Sequence, residues 1–136
     1  MRFALITLAL VAASCSNEFQ GCDICTTSAI IYGVVRDTAG KPVSGIRISA
    51  AASHDSCSSF FAGDSNGLIV SDTAGRYRGQ VLSLYGPFHA CLSVTTHAPS
   101  GSLWRDTTTT GAVVDFRADF PAGPHDSVRV DIVLSQ

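Results

Sequence analysis

From about Ala29 onward the chain predicts an all-β fold, a single antiparallel β-sandwich of about seven strands, set behind an N-terminal signal segment. Three observations lead there. Apolar and polar residues alternate by two in window after window, no window past the first fourteen residues carries an apolar i, i+3, i+4, i+7 period, and turn tetrapeptides separate the alternating runs. Burial of one strand face with the other in water belongs to antiparallel sheets. Without its first fourteen residues the chain has 122, enough for one core and too few for two.

The first element is the signal. Arg2 supplies a positive start, Phe3 to Ala13 an apolar run, and Ala12-Ala13-Ser14 the small side chains that a signal peptidase accepts. A spanning helix needs about 20 apolar residues, so this run is too short to remain in a bilayer. The stretch ending at Cys15 resembles a bacterial lipobox, which implies a diacylglyceryl group on Cys15, cleavage before it, and attachment to the membrane. Cysteine parity agrees. The chain holds five cysteines, and reserving Cys15 for lipid leaves Cys22, Cys25, Cys57 and Cys91 as an even set. Ser16 follows where an Asp would, by resemblance to enterobacterial sorting, retain a lipoprotein at the inner membrane, so the outer membrane is the expected location. Residues 1–14 are thus read as signal peptide, 15–28 as lipidated tether and 29–136 as the folded domain.

Within the domain, strands are expected from Ile30 to Val35, at Ile46-Ile48-Ala50, from Leu68 to Ser71, at Tyr77-Gly79-Val81 and from Phe88 to Thr95. Two more follow. Val114, Phe116, Ala118 and Phe120 interleave with Val113, Asp115, Arg117 and Asp119, and Val128, Val130, Ile132 and Leu134 with Ser127, Arg129, Asp131 and Val133. The tetrapeptide Asp-Thr-Ala-Gly occurs twice, at residues 37–40 and 72–75, each time between two strands. Its Asp caps the turn and its Gly takes the φ > 0 position.

These landmarks resemble a known family. Ile31-Tyr32-Gly33-Val34-Val35 with Asp37, Gly40, Pro42-Val43 and Gly45-Ile46 is similar to the opening hairpin of carboxypeptidase regulatory-like domains. Ser71-Asp72 with Gly75 and Tyr77 resembles their second hairpin, and Val128 to Leu134 their closing strand. The resemblance runs from about Ala29 to Leu134 and implies a transthyretin-like sandwich, related in plan to immunoglobulin-like ones. It also implies a module that accompanies enzymes, receptors or adhesins without catalysing a reaction. Segments His54 to Asn66 and Leu103 to Gly111 read as insertions in that frame. Fold motifs of this kind say little about function.

Cys22-Asp23-Ile24-Cys25 is a C-x-x-C, but no second one accompanies it, as a zinc ribbon requires, and no βαβ setting surrounds it, as a thioredoxin-like motif requires. Structural disulfides are expected instead. Cys91 stands out of phase with Leu92 and Val94, on the outer sheet face, so Cys22 and Cys25 are each expected to bond to one of Cys57 and Cys91. The histidines, His54, His89, His97 and His125, stand in separate segments without metal-ligand spacing, and no metal or cofactor is expected. No G-x-S-x-G elbow occurs. Tyr77-Arg78-Gly79-Gln80 echoes the C-terminal signature of a transthyretin-like hydrolase, but in mid-chain and with Gln for Ser, so no catalytic residue is assigned.

The formal net charge is −2, and no run of Lys or Arg exists in the sequence, which argues against nucleic acid as a partner. Function is sought in the loops. Ala52 to Asn66, about fifteen residues without strand pattern, carries Phe60 and Phe61, and the second insertion carries Trp104 and Arg105. Phe60 and Phe61 suit a protein partner, and Trp104 with Tyr85 a carbohydrate. The expected function is a non-enzymatic envelope lipoprotein whose loops contact a protein or a glycan. The alternative is a small extracytoplasmic hydrolase built from loop His and Asp residues.

Overall fold

In the computed structural model the residues described are 27–54, 57, 61–62, 64–65, 68–83, 88–118 and 125–136, and among them every regular element is a strand. In chain order these are β1 (Thr27–Asp37), β2 (Arg47–His54), β3 (Phe61–Ala62), β4 (Asp64–Ser65), β5 (Ile69–Val70), β6 (Arg76–Ser83), β7 (Phe88–His97), β8 (Thr108–Ala118), β9 (Ser127–Arg129) and β10 (Ile132–Leu134). The fold is all-β and mainly antiparallel. In one layer β6 pairs along β1, from Thr27 opposite Ser83 to Val34 opposite Arg76, and β4 extends the outer edge of β6. In the other, β2, β7 and β8 pair in succession, with β3 and β5 on the free side of β2. Strand β8 links the layers, pairing with β7 up to Phe116 and with Ser28 and Thr27 of β1 through Arg117 and Ala118.

The core lies where the alternating positions predict it. Ile46, Ile48 and Ala50, Tyr77 and Val81, Val114 and Phe116, and Val130, Ile132 and Leu134 are all buried, whereas the out-of-phase Val113 and Val133 are exposed. Burying a Val, Leu, Ile or Phe side chain contributes about 1.5–3 kcal/mol, so this two-residue phase is the main determinant of the fold. Both Asp-Thr-Ala-Gly turns form by the same chemistry. Asp37 Oδ1 accepts from the amides of Ala39 and Lys41, and Asp72 Oδ1 from those of Ala74 and Arg76, while Gly40 and Gly75 take φ of 82° and 71°.

Three departures from the sequence reading have local causes. The stretch Ala52 to Asn66 is not all loop: β2 continues to His54, and β3 and β4 are two-residue pairings with no room for an alternation to show. The Thr-rich stretch that reads as an insertion enters β8 at Thr108, with Thr95 and Thr108 hydroxyls 3.0 Å apart across the strands and Gly111 absorbing the extra residue at a bulge with φ of 102°. The closing strand is broken at Val130-Asp131 and runs parallel to β1, not antiparallel. It reverses direction after β8, itself antiparallel to β1. At the break, the Asp131 carboxylate accepts the Val34 amide at 3.0 Å, taking the place of a ladder carbonyl.

The expected cysteine pairing is also corrected. Cys91 bonds to Cys57 rather than to Cys22 or Cys25. Ser53 lies opposite Cys91 in the β2–β7 register, so the chain leaving β2 after His54 delivers Cys57 directly beside it. Cys15, Cys22 and Cys25 lie outside the described residues.

Candidate functional site

A concave feature furnished with polar side chains lies on the outer face of the β1–β6 layer. Alternation turns Ile31 and Val35 of β1 inward and Tyr32 and Arg36 outward, and on β6 it turns Tyr77 inward and Arg76 and Arg78 outward. Register then brings the outward set together. Tyr32 lies opposite Arg78 on one side and Arg129 of β9 on the other, and Arg76 lies opposite Val34. Arg36, Arg76, Arg78, Arg129, Tyr32 and Tyr77 all line a groove of about 670 Å³. Four of the chain's nine basic residues therefore share one surface of a protein whose net charge is −2.

Few carboxylates offset those guanidiniums. Arg129 binds Asp131, with Nη2–Oδ2 at 2.9 Å and Nε 3.1 Å from both oxygens, which holds the Asp131 carboxyl below the usual range and the Arg129 guanidinium above its own. Asp72 lines the groove too, but one of its oxygens is committed to the turn amides. Among the described residues Arg36, Arg76 and Arg78 make no ion pair within 4.0 Å. Clustered cations without matching carboxylates attract anions and bind them by charge-assisted hydrogen bonds.

Behind the groove, on the buried side of β1, lies a close crossing. Val130 lies over Gly33: its amide donates to the Tyr32 carbonyl at 2.8 Å and its carbonyl accepts the Tyr77 hydroxyl at 2.5 Å. Burial first, and Asp131 nearby second, push the Tyr77 hydroxyl above its ordinary pKa, so it remains a neutral donor locked to the backbone. A Cβ on Gly33 would lie 2.7 Å from the Val130 carbonyl carbon and closer still to its oxygen, which is why this position has none.

The residues singled out in the sequence are dispersed. Phe60 and Tyr85 lie outside the described residues, and Phe61 is placed by its backbone alone, opposite Ala52. Trp104 is half-buried and packs against the core, while Arg105 is exposed with its amide bonded to the Ser135 carbonyl. Each histidine has a different neighbour. His54 stacks near Phe88 with ring centroids 3.9 Å apart, His89 Nδ1 lies 2.6 Å from Asp115 Oδ1, His97 Nε2 lies 2.8 Å from Ser49 Oγ, and His125 Nδ1 lies 2.9 Å from Ser28 Oγ. Ser28 is fully buried and also accepts from Gln80 Nε2, so this hydroxyl–imidazole contact ties strands together instead of facing a substrate. Among the described residues no three His, Cys, Asp or Glu side chains are placed to hold a metal ion.

The groove arginines were not among the sequence candidates. Their signal was present as Arg at the outward phase of three strands, but residues 36, 76, 78 and 129 form no run, and only the strand order makes them neighbours. The lack of a linear basic cluster thus does not extend to space.

No protein-family model and no curated protein matches the chain. Solved structures similar to it include a chlorocatechol 1,2-dioxygenase from Pseudomonas putida, at 14% identity and TM-score 0.45, covering 82% of this chain and 61% of that one. A hydroxyquinol 1,2-dioxygenase from Pseudomonas putida DLL-E4 is similar at 15% identity and TM-score 0.46, with 79% of this chain and 56% of that chain covered. A 3-chlorocatechol 1,2-dioxygenase from Rhodococcus opacus 1CP stands at 16% and 0.46, with 82% and 61% covered. This chain therefore spans less than two thirds of each, and at these identities and scores the likeness transfers no activity to it.

Proposed function

We propose that this protein is a non-enzymatic binding module of the bacterial cell envelope, a carboxypeptidase regulatory-like sandwich tethered to the outer membrane through a diacylated Cys15. The groove carries the binding part of the reading, since a concave surface with orienting polar groups is the common form of a ligand site. The working surface accordingly moves from the loops around Trp104 to the face of the β1–β6 layer. The Cys57–Cys91 disulfide supports export, because such bonds persist in oxidising compartments. Once that pair is formed, Cys22 and Cys25 are the cysteines left for a second disulfide, and Cys15 is left for lipid.

Intact mass spectrometry of the membrane-extracted protein tests the anchor. The expected species begins at Cys15, carries the diacylglyceryl mass and contains two disulfides. A free Cys15 thiol, or a chain beginning at Ser14, would reduce the proposal to a plainly secreted domain.

A further inference from the structure

We infer that the groove binds an acidic oligosaccharide, a glycan with carboxylate, sulfate or phosphate groups on successive sugars. The inference rests on the binding-module reading and names the ligand class for that same site.

Geometry separates a polyanion from a single anion. Arg78, Tyr32 and Arg129 form one row across three strands, and two interstrand steps place the outer members roughly 10 Å apart at the backbone. Arg36 stands four residues along β1 from Tyr32, roughly 13 Å at an extended rise. A lone phosphate or carboxylate satisfies one or two guanidiniums at short range. Arg129 is already held by Asp131, so among the described residues the free guanidiniums at the two ends of the set belong to Arg78 and Arg36, one strand and four residues apart at the backbone, and an extended ligand with at least two anionic groups engages both.

The row also bears on what joins those groups. Tyr32 is 36% exposed and lies between Arg78 and Arg129, so a flat aromatic surface is flanked by two cations. A sugar ring packs its C–H face on such a surface while an acidic substituent reaches the Arg78 guanidinium, which has no ion pair of its own among the described residues. Nucleic acid also brings spaced anions, but single strands are held through successive stacked bases, and of the two aromatic rings lining the groove Tyr32 is exposed while Tyr77 is buried.

The test uses the full mature chain in detergent and isothermal titration at low and moderate salt. Probes are hexagalacturonate, the same hexamer fully methyl-esterified, monogalacturonate, and a short single-stranded DNA. The expected result is binding of the acidic hexamer, loss of binding on esterification, and at least tenfold weaker binding of the monomer. Arg78→Gln and Arg36→Gln should each weaken hexamer binding roughly tenfold, the loss of one charge-assisted contact. Arg47→Gln, on a strand of the other layer, should leave it unchanged, and all variants should keep the wild-type circular dichroism. DNA binding tighter than the hexamer, lost in the same variants, would overturn the glycan assignment and make the groove a nucleic-acid site. Binding of the neutral hexamer unaffected by the arginine variants would overturn the ligand class while leaving a binding module. No binding by any probe would overturn the inference without touching the anchor, which the mass measurement decides separately.

Discussion

Replacing Gly33 with Ala perturbs the close crossing of Val130 over β1, on the buried side of the layer that carries the groove. The added Cβ would sit 2.7 Å from the Val130 carbonyl carbon and closer still to its oxygen, so Val130 must retreat by roughly 1.5 Å to reach ordinary contact. That retreat lengthens two hydrogen bonds at once, from the Val130 amide to the Tyr32 carbonyl and from the Tyr77 hydroxyl to the Val130 carbonyl. Each is worth about 1 kcal/mol net, and a buried partner left unsatisfied costs about 1–3 kcal/mol, giving an expected loss of about 2–4 kcal/mol. For a domain of this size that lowers Tm by roughly 10–15 °C. Tyr77→Phe removes only the second bond and should cost about 1–2 kcal/mol. Because both substitutions act on the same bond, the double variant should lose less than the sum of the two. Urea unfolding of the four proteins is the assay. A Gly33→Ala protein within about 0.5 kcal/mol of wild type, or full additivity with Tyr77→Phe, would refute the crossing as described.

Two further outcomes are expected. Removing the Cys57–Cys91 bond with paired Ser substitutions frees a loop of sequence separation 34 and should cost about 3–4 kcal/mol on the chain-entropy account, seen as a lower urea midpoint. An unchanged midpoint would contradict it. The Asp126 carboxyl is held below its ordinary value by the Asp115 amide first, and that of Asp131 by Arg129 first. With folded pKa values depressed, the unfolded chain takes up protons first on acidification, so stability is full above the ordinary carboxylate range and falls as pH drops below about 4. Asp126→Asn and Asp131→Asn should flatten that fall, and acid profiles parallel to wild type would contradict the assignment.

Much of the fold was legible because alternation by two is written residue by residue. Ile46 through Ala50 and Val128 through Leu134 declare their buried faces without knowledge of any neighbour, and each Asp-Thr-Ala-Gly turn carries its own cap. What depends on pairing was not legible. Cys57 reaches Cys91 only because β2 runs beside β7, and the parallel course of β9 and β10 depends on β8 crossing between layers. The groove is the extreme case. Arg36, Arg76, Arg78 and Arg129 each look like an ordinary solvated strand position, and their meaning comes from the order β9, β1, β6. Trp104 was the more conspicuous residue, yet it packs against the core, as a lone large aromatic in a small domain commonly does.

The most direct measurement of the central claim, an anion-binding face on the β1–β6 layer, is amide chemical-shift mapping of the labelled protein titrated with hexagalacturonate. The perturbed amides should be those of Tyr32 to Arg36, Arg76 to Arg78 and Arg129, and the shifts should shrink as salt is raised. Shifts centred on Leu103 to Arg105, or spread evenly over the surface, would contradict it.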